Sequence, residues 1–378
     1  MEGIRRVSGP SRAGPPIFAA WPNDSPTMSA PNTDPENPFP LTQFSRGSGC
    51  GCKLAPDLLD RILRSERLHA VDPRLLVGPA TKDDAAIYDL DGDQAVISTV
   101  DFFTPIVDDA RLFGRIAAAN ALSDVYAMGG SPLFAIAVLG WPADKLPPEL
   151  AAEVIEGGRE ACHDAGIALA GGHSIDAPEP FFGLSVTGSV RRAHVKRNDT
   201  ARAGDVLLLT KPLGTGVMAT ALKRGQLDHA LLQALHAQLT ALNRVGSILG
   251  PVDAVHAMTD VTGFGLVGHL WEMCAGSGCS TDLDWDAIPI LEGAAGLVAK
   301  GVYADGGMRN WRSVHAHVQG ASTMERMILA ADPQTNGGLL IAIDPGAAEH
   351  VQRMIERTGT TAKRIGILAQ GPPGIRLH

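Results

Sequence analysis

The chain has 378 residues, 45% hydrophobic and 19% charged, with a formal charge of −9. That length and balance suit two domains with buried cores and exclude a miniprotein or a disordered chain. A net-acidic surface lacks the basic footprint that phosphate-backbone binding needs, so nucleic acid is not an expected partner.

The first 40 residues hold nine of the 26 prolines with little apolar periodicity, and residues 1–40 read as a disordered tail. Arg5-Arg6 precede only the short IFAA stretch, broken by Pro15, Pro16 and Pro22, so no secretory h-region is expected. From Leu41, LTQFSRGSGCGCK is a mobile glycine-rich loop leading to a short helix that starts near Pro56 and Asp57, giving a unit over 41–65. AAIYDL and AVISTVDFF, separated by DGDQ, read as hairpin strands. Asp108 and Asp109 can cap the helix ARLFGRIAAANALSDVYAM, which Gly129-Gly130 ends. A strand PLFAIAVLG, a helix ELAAEVIEGGREACHDAG and strands IALAGG and FFGLSVTGSV complete a lobe over 66–192.

The polar, basic stretch RRAHVKRNDTARAGD reads as a linker into a second lobe over 193–378. That lobe opens with DVLLLT and the KPLGTG loop into the helix VMATALKRG, and ends on LLIAI as the terminal strand. Strands and helices alternate in both halves, so the fold class is α/β (α+β) with two lobes. No apolar run reaches the ~18 residues that span a bilayer, so no membrane partner is expected.

Gly47-Ser-Gly-Cys-Gly-Cys-Lys53 places two thiols and an ammonium on a freely bending backbone. It is not a Walker loop, because Cys52 and Leu54 stand where glycine and a hydroxyl are needed. A zinc site is also ruled out, since no second cysteine pair follows at ligand spacing. Lys53 can depress a neighbouring thiol pKa and make a nucleophile or chalcogen carrier. The other cysteines, Cys162, Cys274 and Cys279, read as packing residues on helices, and five thinly spread thiols fit a reducing cytoplasm.

Asp84, Asp101, Asp124 and Asp260 lie at strand or helix ends beside small residues. If they converge, such hard oxygen donors suit a magnesium–nucleotide site; taken singly, each also suits a cap or turn. Asn120 precedes Asp124 by one helical turn and shares its face. The loop Gly171–Pro180 offers glycine amides with His173 and Ser174 as an anion cradle, and TKPLGTG joins a strand to a helix N-terminus that also favours an anion.

LTQFSRGSGCGCKLAP, KDDAAIYDL, STVDFFTPIVDD, AANALSDVYAMGG, AGGHSIDAPEP, TKPLGTG, MTDVTGFGLVGHL and DPQTNGGLL, in this order from Leu41 onward, resemble the selenophosphate synthetase (selenide, water dikinase) family. The resemblance implies the aminoimidazole ribonucleotide synthetase-like fold, with mixed sheets backed by helices and N-terminal lobes pairing into a homodimer barrel. It implies conversion of ATP, selenide and water into selenophosphate, AMP and orthophosphate with Mg²⁺, supplying selenium for selenocysteine and selenouridine; a selenium-delivery protein is a further possible partner. Residue by residue, it makes Cys50 and Lys53 catalytic and Asp84, Asp124 and Asp260 magnesium ligands. It places Lys53, Thr81, Lys82, Asp83, Asp101, Asp124, Gly172, His173 and Ser174 at the nucleotide. Asn120 is added by the helical-face argument alone. The nearest alternatives are a thiamine monophosphate kinase or hydrogenase-maturation protein of the same superfamily, which the GCGCK element argues against. A nucleotide-binding selenium carrier without turnover would need no magnesium–phosphate cleft.

Overall fold

The computed structural model describes residues 39–45, 47–54, 56–63, 72–78, 82–320 and 323–378. Thr81 and the tail up to residue 38 lie outside the described residues, as do 64 and 65 of the loop-and-helix unit.

In chain order the first lobe runs α1 (Pro56–Leu63), β1 (Leu75–Val77), β2 (Ala86–Asp89), β3 (Gln94–Phe103), α2 (Ala110–Ala127), β4 (Ser131–Trp141), α3 (Pro148–Asp164), β5 (Ala168–Asp176) and β6 (Phe181–Arg191). The second begins with β7 (Val206–Leu209), α4 (Thr215–Lys223), α5 (His229–Thr240), α6 (Val245–Leu249), β8 (Val255–Asp260), α7 (Gly265–Ser277) and β9 (Ser280–Leu283). It continues with α8 (Ala294–Ala299), α9 (Asp305–Val314), β10 (Val318–Gln319), α10 (Met324–Ala330), β11 (Leu339–Ile343), α11 (Ala348–Glu356), β12 (Lys363–Ala369) and β13 (Gly374–Leu377).

Two mixed sheets result, in the orders β1-β2-β3-β6-β4-β5 and β10-β13-β9-β12-β7-β11-β8. In the first, only β4 and β5 pair in parallel. The sheet's inner face is set by alternation: Phe103 and Phe182 are buried and pack tilted and edge-on against Phe113 of α2, ring centroids 6.1 and 6.4 Å apart. Helices α2 and α3 cross closely because Gly114 and Gly157 carry no side chain; a Cβ on either would stand 1.9 or 1.8 Å from a carbonyl of the other helix. Asp109 caps α2 by accepting from the Leu112 amide at 2.7 Å. Asp108 serves differently, accepting from the Thr42 amide at 2.8 Å and tying the loop segment to the helix start.

Two expectations are corrected. LLIAI is β11, fully buried between β7 and β8, and two more strands follow it. β12 opens on Lys363 and Arg364 and is broken by Gly366, and β13 is a four-residue strand containing Arg376, so neither presents a continuous apolar run. Cys279 lies between α7 and β9 rather than on a helix, although it is buried, as are Cys162 and Cys274.

The stretch from Arg191 to Ala203 is firmly seated. Lys196 is buried and its ammonium donates to the carbonyls of Val252 and Val255, both at 2.9 Å. Contacts of α2 with α5, α6 and β8 join the lobes, and Ala127 packs in a core cluster otherwise drawn from the second lobe. No helix among the described residues is long and apolar enough to cross a membrane.

Candidate active site

The glycine-rich loop runs along the junction of the lobes. Gly49 has φ +53°, and a Cβ there would stand 2.5 Å from the Thr335 hydroxyl, so only glycine fits. A 3₁₀ turn, Cys50–Cys52, sends the two thiols apart: Cys50 is fully buried and Cys52 exposed. The Cys50 amide donates to Thr335 Oγ1 at 3.0 Å, and its thiol donates to Asn120 Oδ1 at 3.4 Å.

Asn120 is the centre of a polar network buried on α2. Its Oδ1 also accepts from the Asn336 amide at 2.7 Å, and its Nδ2 donates to Asp101 Oδ2 at 2.7 Å. Lys53 Nζ lies 3.3 Å from the same Asp101 oxygen. Gly263 makes room for the lysine, since a Cβ would come within 2.8 Å of Lys53 Cδ. Burial alone would lower the Lys53 pKa, but Asp101, Cys50, Asp124 and Asp260 around it hold it above its ordinary value, so it stays an ammonium.

The expectation that Lys53 makes Cys50 a ready thiolate is corrected. Burial dominates and the Asp101 charge adds to it, pushing the thiol well above its ordinary value, against a smaller lowering by Lys53. Closed in this way, the loop keeps Cys50 a thiol.

Asp84, Asp124 and Asp260 come within electrostatic reach of one another. Burial first, then the charges of Asp260 and Asp124, raise Asp84; burial first, then Asp260 and Asp101, raise Asp124. Burial pushes Asp260 up to about 6. Thr259 donates to Asp84 Oδ1 at 2.9 Å and Thr99 to Asp124 Oδ2 at 2.6 Å. Asp84 Oδ2 and Asp260 Oδ2 are buried without a hydrogen-bond partner. Among the described residues no group of three or more His, Cys, Asp or Glu stands at chelating distance. The donor chemistry nevertheless fits a hard cation: three mutually repelling carboxylates, two of them with unpartnered buried oxygens.

The remaining sequence-predicted residues fall into two groups. Lys82 and Asp83 approach the start of the second lobe: the Asn198 amide donates to Asp83 Oδ1 at 2.7 Å and its side chain to Lys82 O at 3.0 Å. Gly172, His173 and Ser174 are not in a loop; they lie in β5, an exposed edge strand that continues to Asp176. Register places Asp101, Leu184, Ala137 and Gly172 in one row across the sheet. Gly172 is thus three strands, about 14 Å, from Asp101.

The anion reading of TKPLGTG is also corrected. The amides there are taken by the protein's own groups: Gln334 Oε1 accepts from Gly214 and Thr215, at 3.1 and 3.2 Å, and Asp332 Oδ2 from Gly216 at 2.9 Å. Lys211 turns inward to the carbonyls of Ala241 and Asn336, at 2.7 and 2.9 Å. Sequence reasoning assigned no role to Thr99, Thr259, Gly263, Thr335 or Asn336. The signal for the last two was the DPQTNGG segment, whose turn residues crowd in the core: Asn336 has φ +47° and is fully buried.

A two-lobed chain with a carboxylate cluster beneath a loop at the lobe junction is the setting in which its matches fall. The chain belongs to the AIR synthase related protein family, whose N-terminal domain matches residues 82–190 and whose C-terminal domain matches 202–376. Within it, the chain belongs with the selenide, water dikinases. It is 52% identical over 333 residues to the "Selenide, water dikinase" of Cronobacter sakazakii, covering 88% of this chain and 96% of the relative. It is 50% identical over 338 residues to that of Colwellia psychrerythraea, covering 89% and 98%. The fold is similar to thiamine-monophosphate kinase from Stenotrophomonas maltophilia, with TM-score 0.60, 21% identity and coverage of 81% and 91%. It is also similar to the hydrogenase maturation protein HypE of E. coli, with TM-score 0.59, 24% identity and coverage of 81% and 89%.

Proposed function

We propose that this chain makes selenophosphate from ATP, selenide and water, releasing AMP and orthophosphate, the activity its relatives' name describes. The observation that carries the reading is the joining of Cys50 and Lys53, through Asn120 and Asp101, to the carboxylates Asp124 and Asp260.

Hydroselenide is an anion at neutral pH and needs little base catalysis, so the barrier is the meeting of two anions. Lys53, which touches Asp101 here, is within reach of any phosphate seated over the aspartates and can offset its charge. Asp84, Asp124 and Asp260 would hold Mg²⁺, which would supply positive charge to offset that of the phosphates. Cys50 guides hydroselenide toward the phosphoryl group without a sulfur–selenium bond, since two chalcogens both at the selenide level join only with an oxidant, and deprotonation of its thiol requires escape from the buried position it now holds. ADP is retained and hydrolysed before release. Lys82 and Asp83 contact the nucleotide, as do Gly172, His173 and Ser174 on the exposed edge of the sheet, where a second protomer of a homodimer would meet them.

Phosphorus NMR under anaerobic conditions, with Mg-ATP and with or without selenide, tests the reading. Equal amounts of selenophosphate, AMP and orthophosphate should form only with selenide, and Cys50→Ser and Lys53→Ala should abolish them. ATP left intact, or free ADP accumulating in step with selenophosphate, would contradict it.

A further inference from the structure

On the side of the loop away from Asn120, a cavity of about 750 Å³ opens between the lobes. Cys52 lines it, and so does Thr335, whose hydroxyl holds the Cys50 amide, so it reaches the other side of the catalytic loop. Its charged lining is Lys223, Arg224 and Arg309 against Glu179 and Asp305. Lys223 Nζ donates to the carbonyls of Ser45 and Gly47, at 2.7 and 3.1 Å, and Arg309 to that of Gly51 at 2.9 Å. These cations therefore latch the loop through neutral oxygens, which leave their charge facing the cavity. Glu179 and Asp108 act on Lys223, but the balance of the lining stays positive.

The interior has the opposite sign. Asp84, Asp101, Asp124 and Asp260 stand there against Lys53 and Lys211. An anion approaching Cys50 from the carboxylate side meets net negative charge, whereas one approaching from the cavity meets net positive charge in a low-dielectric cleft that focuses it. We propose that this cavity is the entry site for hydroselenide, separate from the nucleotide side, with Lys223, Arg224 and Arg309 setting its preference for a small anion. The assignment rests on the dikinase reading above, because that reading supplies the anion that must reach Cys50.

The experiment uses the full chain under anaerobic conditions, with selenide titrated at saturating Mg-ATP and at low and high ionic strength. Arg224 is exposed at the end of α4 and makes none of the latch contacts, so Arg224→Gln alters the field alone. It should raise the KM for selenide roughly three- to tenfold at low salt while leaving kcat and the KM for ATP in place, and high salt should erase the difference. Arg309 also latches the loop, so Arg309→Met should raise the selenide KM to a similar degree and lower kcat as well, and Arg309→Lys should restore both. A second readout needs no turnover: Cys52 is the one exposed cysteine of the five. Its alkylation rate with iodoacetate relative to neutral iodoacetamide should fall in Arg224→Gln and Arg309→Met. An unchanged selenide KM in both variants, or an unchanged reagent ratio, overturns the entry-site assignment. If the wild type shows no selenide-dependent ATP cleavage, the dikinase reading fails instead, while the reagent ratio still decides whether the cavity selects anions.

Discussion

Asn120 accepts from the Cys50 thiol and the Asn336 amide while donating to Asp101, so one fully buried amide orients the Cys50 thiol, the carboxylate that pairs with Lys53, and the second lobe. Asn120→Ala should cost about 1–3 kcal/mol of stability by leaving those groups unpaired, and should lower kcat roughly a hundredfold by misplacing Cys50 and Lys53. Asn120→Asp should be worse, since a second carboxylate would face Asp101 across the present 2.7 Å contact. Chemical denaturation and steady-state kinetics check both; a wild-type kcat in the alanine variant would remove Asn120 from the site. The carboxylate cluster carries the reverse balance. With burial and mutual repulsion opposing ionisation of Asp84, Asp124 and Asp260, Asp260→Asn should stabilise the metal-free protein by on the order of 1–2 kcal/mol near neutral pH. The same substitution should shrink the thermal shift that Mg²⁺ and ATP produce, and chelating the metal should return the wild type to its lower melting temperature. A variant that keeps the full ligand-induced shift would exclude Asp260 as a metal ligand.

At the scale of elements, α2 and α4 do most of the positioning. α2 delivers Asn120 and Asp124 one turn apart, and its packing on α3 and on the second lobe leaves it little freedom. α4 begins at the lobe junction, where Asp332 caps its first amides, and ends at Lys223 on the glycine-rich loop. Burial pushes the Asp332 carboxyl up to about 7 from an ordinary 3.8. Between those values the folded chain keeps a proton that the unfolded chain has released, so this group's contribution is intact below about 4 and is lost as pH rises through about 7. Asp332→Asn keeps an acceptor for the Gly216 amide and removes the titration. Its unfolding free energy relative to wild type should therefore climb between pH 5 and pH 8, as followed by urea denaturation at several pH values. A difference independent of pH would show that Asp332 is ionised throughout.

At the scale of the molecule, the first sheet has two unlike faces. The row Asp101–Leu184–Ala137 points inward, toward α2, while Val100 and Phe102 on β3 and Phe134 and Ile136 on β4 are exposed on the outer face. Between them β6 presents only Gly183, Ser185 and Thr187, whose small side chains separate the two exposed apolar pairs. An exposed patch of this kind marks an interaction surface, and its place beside the β5 edge suits the homodimer proposed above. Ile136→Asp should convert the dimer to a folded monomer in analytical ultracentrifugation and reduce activity; a wild type that sediments as a monomer at micromolar concentration would end the dimer proposal.

Local pattern was enough for much of this protein. Alternation identified the β2–β3 hairpin, the helical period identified α2 and α3, and Gly-Cys-Gly-Cys-Lys was visibly a reactive loop because those residue types have no common structural use together. The aspartates could be named as candidates, but a carboxylate at an element end is also an ordinary cap or turn residue, so pattern alone did not set them apart. What pattern could not supply was distance and burial. Convergence of Asp84, Asp124 and Asp260 depends on strand order in two sheets, and the role of Asn336 depends on a backbone amide arriving from another lobe. The thiol state of Cys50 shows the limit most plainly: its neighbour Lys53 is written in the sequence, but the desolvation that outweighs that neighbour exists only once the second lobe closes over the loop. The filling of α4's N-terminus by Asp332 and Gln334 follows the same logic. Short-range chemistry was legible in the chain itself, whereas the balance between a charge and its surroundings was decided by the fold, because solvation is a property of everything packed around a group.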